Sequence, residues 1–249
     1  MVADLISPVV CEIFIDELEG RVLSPYETHR IAVPLSAEES AEYEEARRRY
    51  TAFIRANGID FRSADGWSRF IMLAARRPGG RAALEAYLRQ RAIARCGKGK
   101  LEEIWRILQR HAAERTILFT ADNDAAYAIG NYFCFPVITH KTKVAERREF
   151  LDRFRSGEYR VLVTSKVLNE GVDVPEAAVG IVVSGSGSSR EHVQRLGRIL
   201  RASEGKRAEL YELVSEGTSE MGVSERRRKH RAYEGRSHSG EAGEEEETC

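Results

Sequence analysis

An α/β fold, with a parallel sheet covered by helices on both faces and a small helical segment ahead of it, is predicted by three observations. Residues 36–113 repeat their apolar side chains at helical spacing only. From Thr116 the period changes, and short β-rich runs (TILFTA, VIT, RVLVTS, GIVVSG, ELYELV) alternate with amphipathic stretches such as Val144 to Phe154. The runs are also apolar almost throughout, as strands buried on both faces are. Strands separated by helices need crossovers, which make neighbours parallel and lay helices on the sheet.

Taken in chain order, Ser36 and Glu39 form a capping box, and Tyr43, Ala46, Tyr50, Phe53 and Ile54 keep one helical face until Asn57-Gly58. A second helix runs from about Trp67 to Arg77 and stops at Pro78-Gly79-Gly80. Leu84, Tyr87, Leu88 and Arg91 mark a third, closed by Gly97; Leu101, Ile104, Trp105 and Leu108 mark a fourth. In the α/β part, Phe150, Leu151 and Phe154 share one side of a helix, and Thr120, Thr164, Ser165, Ser184 and Gly185 fall at strand ends. Open parallel sheets bind ligands beyond the carboxyl ends of their strands. Residues 218–249 alternate a basic with an acidic block and hold little to bury; disorder is expected there, with a helix through Arg226 to Arg231 as the alternative.

Composition excludes several classes. With 249 residues, 42% hydrophobic and 31% charged, the chain reads as a globular domain with appended segments. No apolar run is long enough to span a membrane, and the start lacks a signal-peptide pattern. Cys11, Cys96, Cys134 and Cys249 lie far apart without a CxxC or a histidine pair, so neither a metal site nor a disulfide framework is indicated. An intracellular setting with reduced thiols is expected. The net charge of zero hides an asymmetry: residues 1–46 carry a net of minus nine and residues 47–115 a net of plus eleven. Such a block fits a polyanion partner or pairing with the acidic start, and charge alone does not choose.

The chemistry concentrates in QRLGRILR, Gln194 to Arg201. Arg198 and Arg201 are three residues apart, so a helix presents both on one face, and their planar donor forks suit phosphate oxygens. Upstream, VLVTSKVLNEGVDVP puts Thr164, Ser165 and Lys166 at a strand end and then the loop Gly171 to Pro175, where Asp173 can accept from a ribose hydroxyl. Hydroxyls and an ammonium there can hold nucleic-acid phosphates without reading bases.

These segments resemble superfamily 2 helicases: RTILFTADND their fourth conserved motif, VLVTSKVLNEGVDVP their fifth, and QRLGRILR the sixth, Q-x-x-G-R-x-x-R. The order and spacing are those of that superfamily. The lead-in LISPVVCEIFIDELEGRVLSPYETHRIAVPLSAEESAEYEEARRRY and the stretch Ser165 to Arg201 are similar to the XPB branch, the DNA helicases and translocases of nucleotide excision repair and transcription initiation. The resemblance spans roughly residues 5–215 and is poorest over 55–100.

The resemblance implies a second RecA-like motor domain at 114–217, a thumb-like DNA-gripping segment at 36–113 and a lead-in from the first motor domain at 1–35. It gives Arg198 and Arg201 the arginine-finger role, Gly171, Asp173 and Gln194 the nucleotide contacts, and Thr120, Thr164, Ser165 and Lys166 the nucleic-acid contacts. Arg76 and Arg77 join them on the helical segment, where Phe61, Trp67 and Phe70 are either a stacking surface or core. ATP and Mg2+ are implied as cofactors, although Gly97-Lys98-Gly99-Lys100 lacks phosphate-cradle spacing and no DEAH-type box occurs. The chain is therefore expected to carry half a motor. Its implied partners are DNA, the first RecA-like domain, and a repair nuclease or a transcription or repair factor. A non-catalytic helicase-like binding module is the alternative.

Overall fold

The computed structural model describes residues 26–165, 177–185 and 208–228. Period two governs the sheet. The strands β2 (Thr116–Phe119), β3 (Val137–Ile138), β4 (Val161–Thr164), β5 (Val179–Val182) and β6 (Ala208–Ser215) correspond to the five β-rich runs. With the edge strand β1 (Tyr26–Val33) they form one sheet in the order β1-β6-β5-β2-β4-β3, every neighbouring pair parallel.

Successive side chains go to opposite faces. Ile117, Phe119, Leu162, Val182 and Leu210 pack on one, against Leu151 and Phe154 of α6 (Val144–Ser156). Leu118, Val163, Ile181, Tyr211 and Leu213 pack on the other, against Ile104 and Ile107 of α4 (Lys98–Arg110) and Ala126 and Ile129 of α5 (Asn123–Phe133). The expected two-faced parallel sheet is what forms, and its fold is RecA-like.

The remaining helices are α1 (Ala37–Ala56), α2 (Gly66–Arg76) and α3 (Gly80–Cys96). The capping box is present: the Ser36 hydroxyl accepts the Glu39 N–H at 3.1 Å and the Glu39 carboxylate accepts the Ser36 N–H at 3.1 Å. Between α2 and α3 the chain reverses through Gly79 at φ +77°, a backbone region that disfavours side chains. Phe70 is fully buried, with the rings of Tyr50, Phe53, Phe61, Trp67 and Tyr87 centred 5.4 to 6.2 Å away. Phe70 is thus core, while Trp67 and Phe61 keep nearly half their surface exposed at its rim.

Three findings depart from the sequence reading. Tyr26–Val33, which the sequence places in the lead-in, is a strand paired along its whole length with β6, Tyr26 beside Ala208 and Val33 beside Ser215. Its alternation is present in the sequence, since Thr28, Arg30 and Ala32 face out while His29, Ile31 and Val33 turn in, but charged flanks obscure it. The helix α4, grouped by spacing with the helical segment, instead covers the sheet. Its first turn approaches β1 so closely that a Cβ on Gly99 would lie 2.8 Å from Val33 Cγ1.

The third departure corrects the expectation of a disordered tail from residue 218. Ser219–Arg228 form the helix α7, with Thr218 and Ser224 buried. Tertiary bonds that composition does not reveal hold it. The Ser219 N–H donates to the Tyr43 hydroxyl at 2.9 Å, and Glu220 pairs with Lys100. Among the described residues no helix is long and apolar enough to cross a membrane.

Because Phe70 is the common centre of five other aromatic side chains, Phe70→Ala should destabilise the protein by about 3–5 kcal/mol. A denaturant titration should show the loss as a lower midpoint, whereas Phe61→Ala at the exposed rim should cost clearly less.

Candidate nucleotide and nucleic-acid site

The site is built at the carboxyl edge of the sheet. Beyond β2 the chain turns through Thr120, Ala121 and Asp122 into α5. The Asp122 carboxylate caps that helix by accepting the Ala125 N–H at 3.0 Å, which satisfies one of the first-turn amides. The same carboxylate pairs with Arg95 and lies 3.6 Å from Arg91, whose guanidinium stands 5.0 Å over the Tyr87 ring. One aspartate therefore fastens α3 to the start of α5.

Three hydroxyls secure the neighbouring strand ends. Thr120 is fully buried and donates its hydroxyl proton to the Asp122 carbonyl at 2.8 Å, with the Thr164 carbonyl 3.2 Å away. Thr164, also fully buried, donates to the Ser165 carbonyl at 3.0 Å. The Ser184 hydroxyl, beyond β5, accepts the Ala121 N–H at 3.0 Å. Thr120 and Thr164 were expected to face nucleic-acid phosphates. Here their protons are used inward, so in this arrangement they shape the edge and leave the polar contacts to groups around them. Ser165 is buried too, its N–H donating to the Ile138 carbonyl at 3.3 Å.

Accessible polar groups cluster after β3. His140 Nδ1 sits 3.1 Å from the Asn123 amide, and His140, Lys141 and Lys143 are all exposed. The sequence carries them as HKTK directly after a strand.

Lys166, Gly171, Asp173, Gln194, Arg198 and Arg201 lie outside the described residues. The described chain stops at Ser165 beyond β4 and at Gly185 beyond β5, so both segments leave from this edge. Arg76 and Arg77, at the carboxyl end of α2, are exposed and make no ion pair among the described residues. Other arginines of the basic block are paired: Arg89 donates from Nε and Nη2 to the two oxygens of Glu42 at 2.5 and 2.7 Å, and Arg91 and Arg95 meet Asp122. Pairing with the acidic start thus accounts for part of the charge asymmetry.

The Gly97–Lys100 run offers no phosphate cradle. Lys100 is fully buried with its ammonium on the Val183 carbonyl and the Glu220 carboxylate. Among the described residues, the histidine and carboxylates near enough to share an ion are Glu27, His29 and Glu209, on β1 and the amino-terminal part of β6, away from this edge. The described residues therefore do not fit a triphosphate with Mg2+ by themselves.

A family model described as ERCC3/RAD25/XPB C-terminal helicase matches residues 90–239. The chain is 40% identical over 224 residues to a DNA 3'-5' translocase XPB2 of Sulfurisphaera tokodaii, covering 90% of this chain and 51% of that one. It is 36% identical over 135 residues to the general transcription and DNA repair factor IIH helicase/translocase subunit XPB of Drosophila melanogaster, covering 50% of this chain and 16% of that one. The chain thus spans about half the length of the first of these relatives and less of the second. Among solved structures, the Hef helicase domain of Pyrococcus furiosus superposes with a TM-score of 0.58 at 16% identity, over 81% of this chain and 57% of that one. At that identity the likeness concerns the fold.

Asp122→Ala removes a helix cap together with the partner of two arginines. Loss of the cap alone costs about 0.5–2 kcal/mol, and the change should lower the denaturant midpoint accordingly. Asp122→Asn, which keeps an accepting oxygen for the Ala125 N–H, should recover part of that loss.

Proposed function

Because the chain belongs to the ERCC3/RAD25/XPB C-terminal helicase family, we propose that it is the second motor domain of an ATP-dependent DNA helicase or translocase acting in nucleotide excision repair and transcription. ATP is the substrate, bound between this domain and a first RecA-like domain that supplies the phosphate cradle and the Mg2+ site. The observation that carries the reading is a coincidence of position. The family match over 90–239 includes both SKVLNEGVDVP and QRLGRILR, which in sequence follow β4 and β5, the two strands that flank β2 in the sheet.

On this reading Arg198 and Arg201 bring fixed positive charge to the γ-phosphate, where charge spreads over the oxygens during transfer. Gln194 contacts the same group, and Gly171 and Asp173 line the nucleotide. Thr120, Thr164, Ser165 and Lys166 form the edge that tracks the DNA backbone. The inward-bonded threonines hold its shape, and Lys166 carries the charge. The partners are DNA, the first motor domain and a repair nuclease or a transcription or repair factor, in the cytoplasm of a prokaryote or the nucleus of a eukaryote.

The helical segment adds a backbone grip. Arg76 and Arg77 face solvent and can meet phosphates, contacts that fix position without reading sequence.

In the complete two-domain motor, Arg198→Ala or Arg201→Ala should lower DNA-stimulated ATP turnover by about 10³-fold or more while DNA affinity changes little. Normal turnover in both variants would rule out the arginine-finger reading and leave the two arginines as ordinary surface charges. Neutralising Arg76 and Arg77 together should weaken binding to every DNA sequence alike. The slope of log affinity against log salt should fall by about 0.7 per lost contact on single strands and about 0.9 on duplex. Unchanged affinity and slope would remove the grip.

A further inference from the structure

The helix α2 buries one stripe only. Gly66, Phe70 and Ala74, spaced four residues apart, point into the aromatic cluster. Beside that stripe Trp67 and Ile71 follow each other at the same spacing, Met72 comes next around the helix, and Phe61 stands just ahead of it. These four side chains are 39 to 46% exposed. Large apolar side chains scattered singly over a surface need no explanation. Here, of the ten that are exposed among the described residues, four fall within positions 61–72, which is the clustering of a contact surface.

Trp67 is held as a platform. Its indole leans on the Phe70 ring, centred 5.4 Å away, and on the Tyr87 ring, centred 5.1 Å away. Tyr87 is fixed in turn by Arg91, whose Nη1 donates to its hydroxyl at 2.8 Å. A stripe of charge runs along the same helix: Arg69 and Arg76 are seven residues, two turns, apart, with Arg62 before the helix and Arg77 after it. All four arginines are exposed, and none forms an ion pair among the described residues. Over residues 61–79 they face one acid, Asp65.

The occupant of this face must satisfy both stripes. An apolar protein surface would leave four guanidinium charges unanswered. A duplex would meet the arginines, but its bases are already stacked on one another and offer the indole no open ring. Unpaired bases on a phosphate backbone answer both demands, since every base has a π-face and every linkage a charge. We propose that this face of α2 is a stacking surface for single-stranded DNA, with Trp67 taking one base and Arg69 and Arg76 the neighbouring phosphates. The inference deepens the DNA-motor reading given above and rests on it. It adds to the backbone grip a preference for unpaired over paired DNA that is indifferent to sequence.

The test uses the complete two-domain motor without nucleotide. It compares Trp67→Leu, Trp67→Phe and Arg69→Gln/Arg76→Gln with the parent for affinity to a single-stranded oligothymidylate and to a blunt duplex of mixed sequence, over a salt series. Trp67→Leu keeps apolar bulk but loses the ring. Its affinity for the oligothymidylate should fall by about 5- to 150-fold, the worth of one base stacked on an aromatic side chain, with duplex affinity and salt slope little changed. Trp67→Phe keeps a ring and should retain most of the affinity. Arg69→Gln/Arg76→Gln should instead lower the salt slope, by about 0.7 per lost contact on the single strand. Parental single-strand affinity in Trp67→Leu would overturn the inference, as would a Trp67→Phe variant as weak as Trp67→Leu. So would an equal loss on both DNAs, which is what damage to the fold produces. A parent motor that binds neither DNA defeats the DNA-motor reading itself, whereas a parent that binds both, with Trp67→Leu unchanged, defeats only the stacking surface and leaves the patch to a protein partner.

Discussion

A parallel pair of strands cannot be joined by a tight turn, so each connection must cross a face of the sheet, and a sheet made only of such pairs has both faces covered. Most of the described chain answers to that constraint. Leu118 and Phe119 are neighbours in sequence yet serve different cores, one closed by α4 and α5 and the other by α6. The constraint also reaches outside the α/β region. The face carrying Tyr211 and Leu213 continues over β1 at the sheet edge, and Ile104 and Ile107 of α4 complete that core. The helical segment is joined to the sheet by its last helix and is not a separate body strung ahead of it.

The joints between the two regions are polar and specific. The Ser215 hydroxyl donates to the Ala94 carbonyl at 2.7 Å, the Ser219 N–H to the Tyr43 hydroxyl, and the Lys98 N–H to Glu39 Oε1 at 2.9 Å, while Asp122 takes Arg95. These contacts tie α1 and α3 to the carboxyl ends of β6 and β2, so the helical segment is held to that edge of the sheet by packed, hydrogen-bonded elements.

Charge in this chain has two uses that composition does not separate. Arg89, Arg91 and Arg95 complete internal pairs, whereas Arg76 and Arg77 face solvent. The exposed pairs, such as Arg81 with Glu85, contribute little to stability because water screens them. Lys100 differs in kind. Without water to satisfy it, its ammonium must find partners in the protein, and it finds them at the junction of three elements.

The sequence by itself determined everything that depends on short-range period and on local chemistry. The capping box at Ser36 and Glu39, the helix stops at Asn57 and Gly79, the five β-rich runs and the parallel, two-faced sheet all follow from residues close together in the chain. QRLGRILR and the segment before it were legible for the same reason, since their meaning lies in fixed spacing. Only the tertiary structure decided which polar groups are spoken for. That Phe70 is core while Trp67 stays at its rim, that Glu220 folds the start of the tail onto Lys100, and that Thr120 and Thr164 are buried side by side, with the Thr120 hydroxyl 3.2 Å from the Thr164 carbonyl, all depend on residues distant in sequence. The edge strand β1 lies between these cases: its alternation is local, but its partner β6 follows nearly the whole domain later, and only that pairing makes Tyr26–Val33 a strand. Burial and partnership are set by what packs opposite, and a linear sequence records only what comes next.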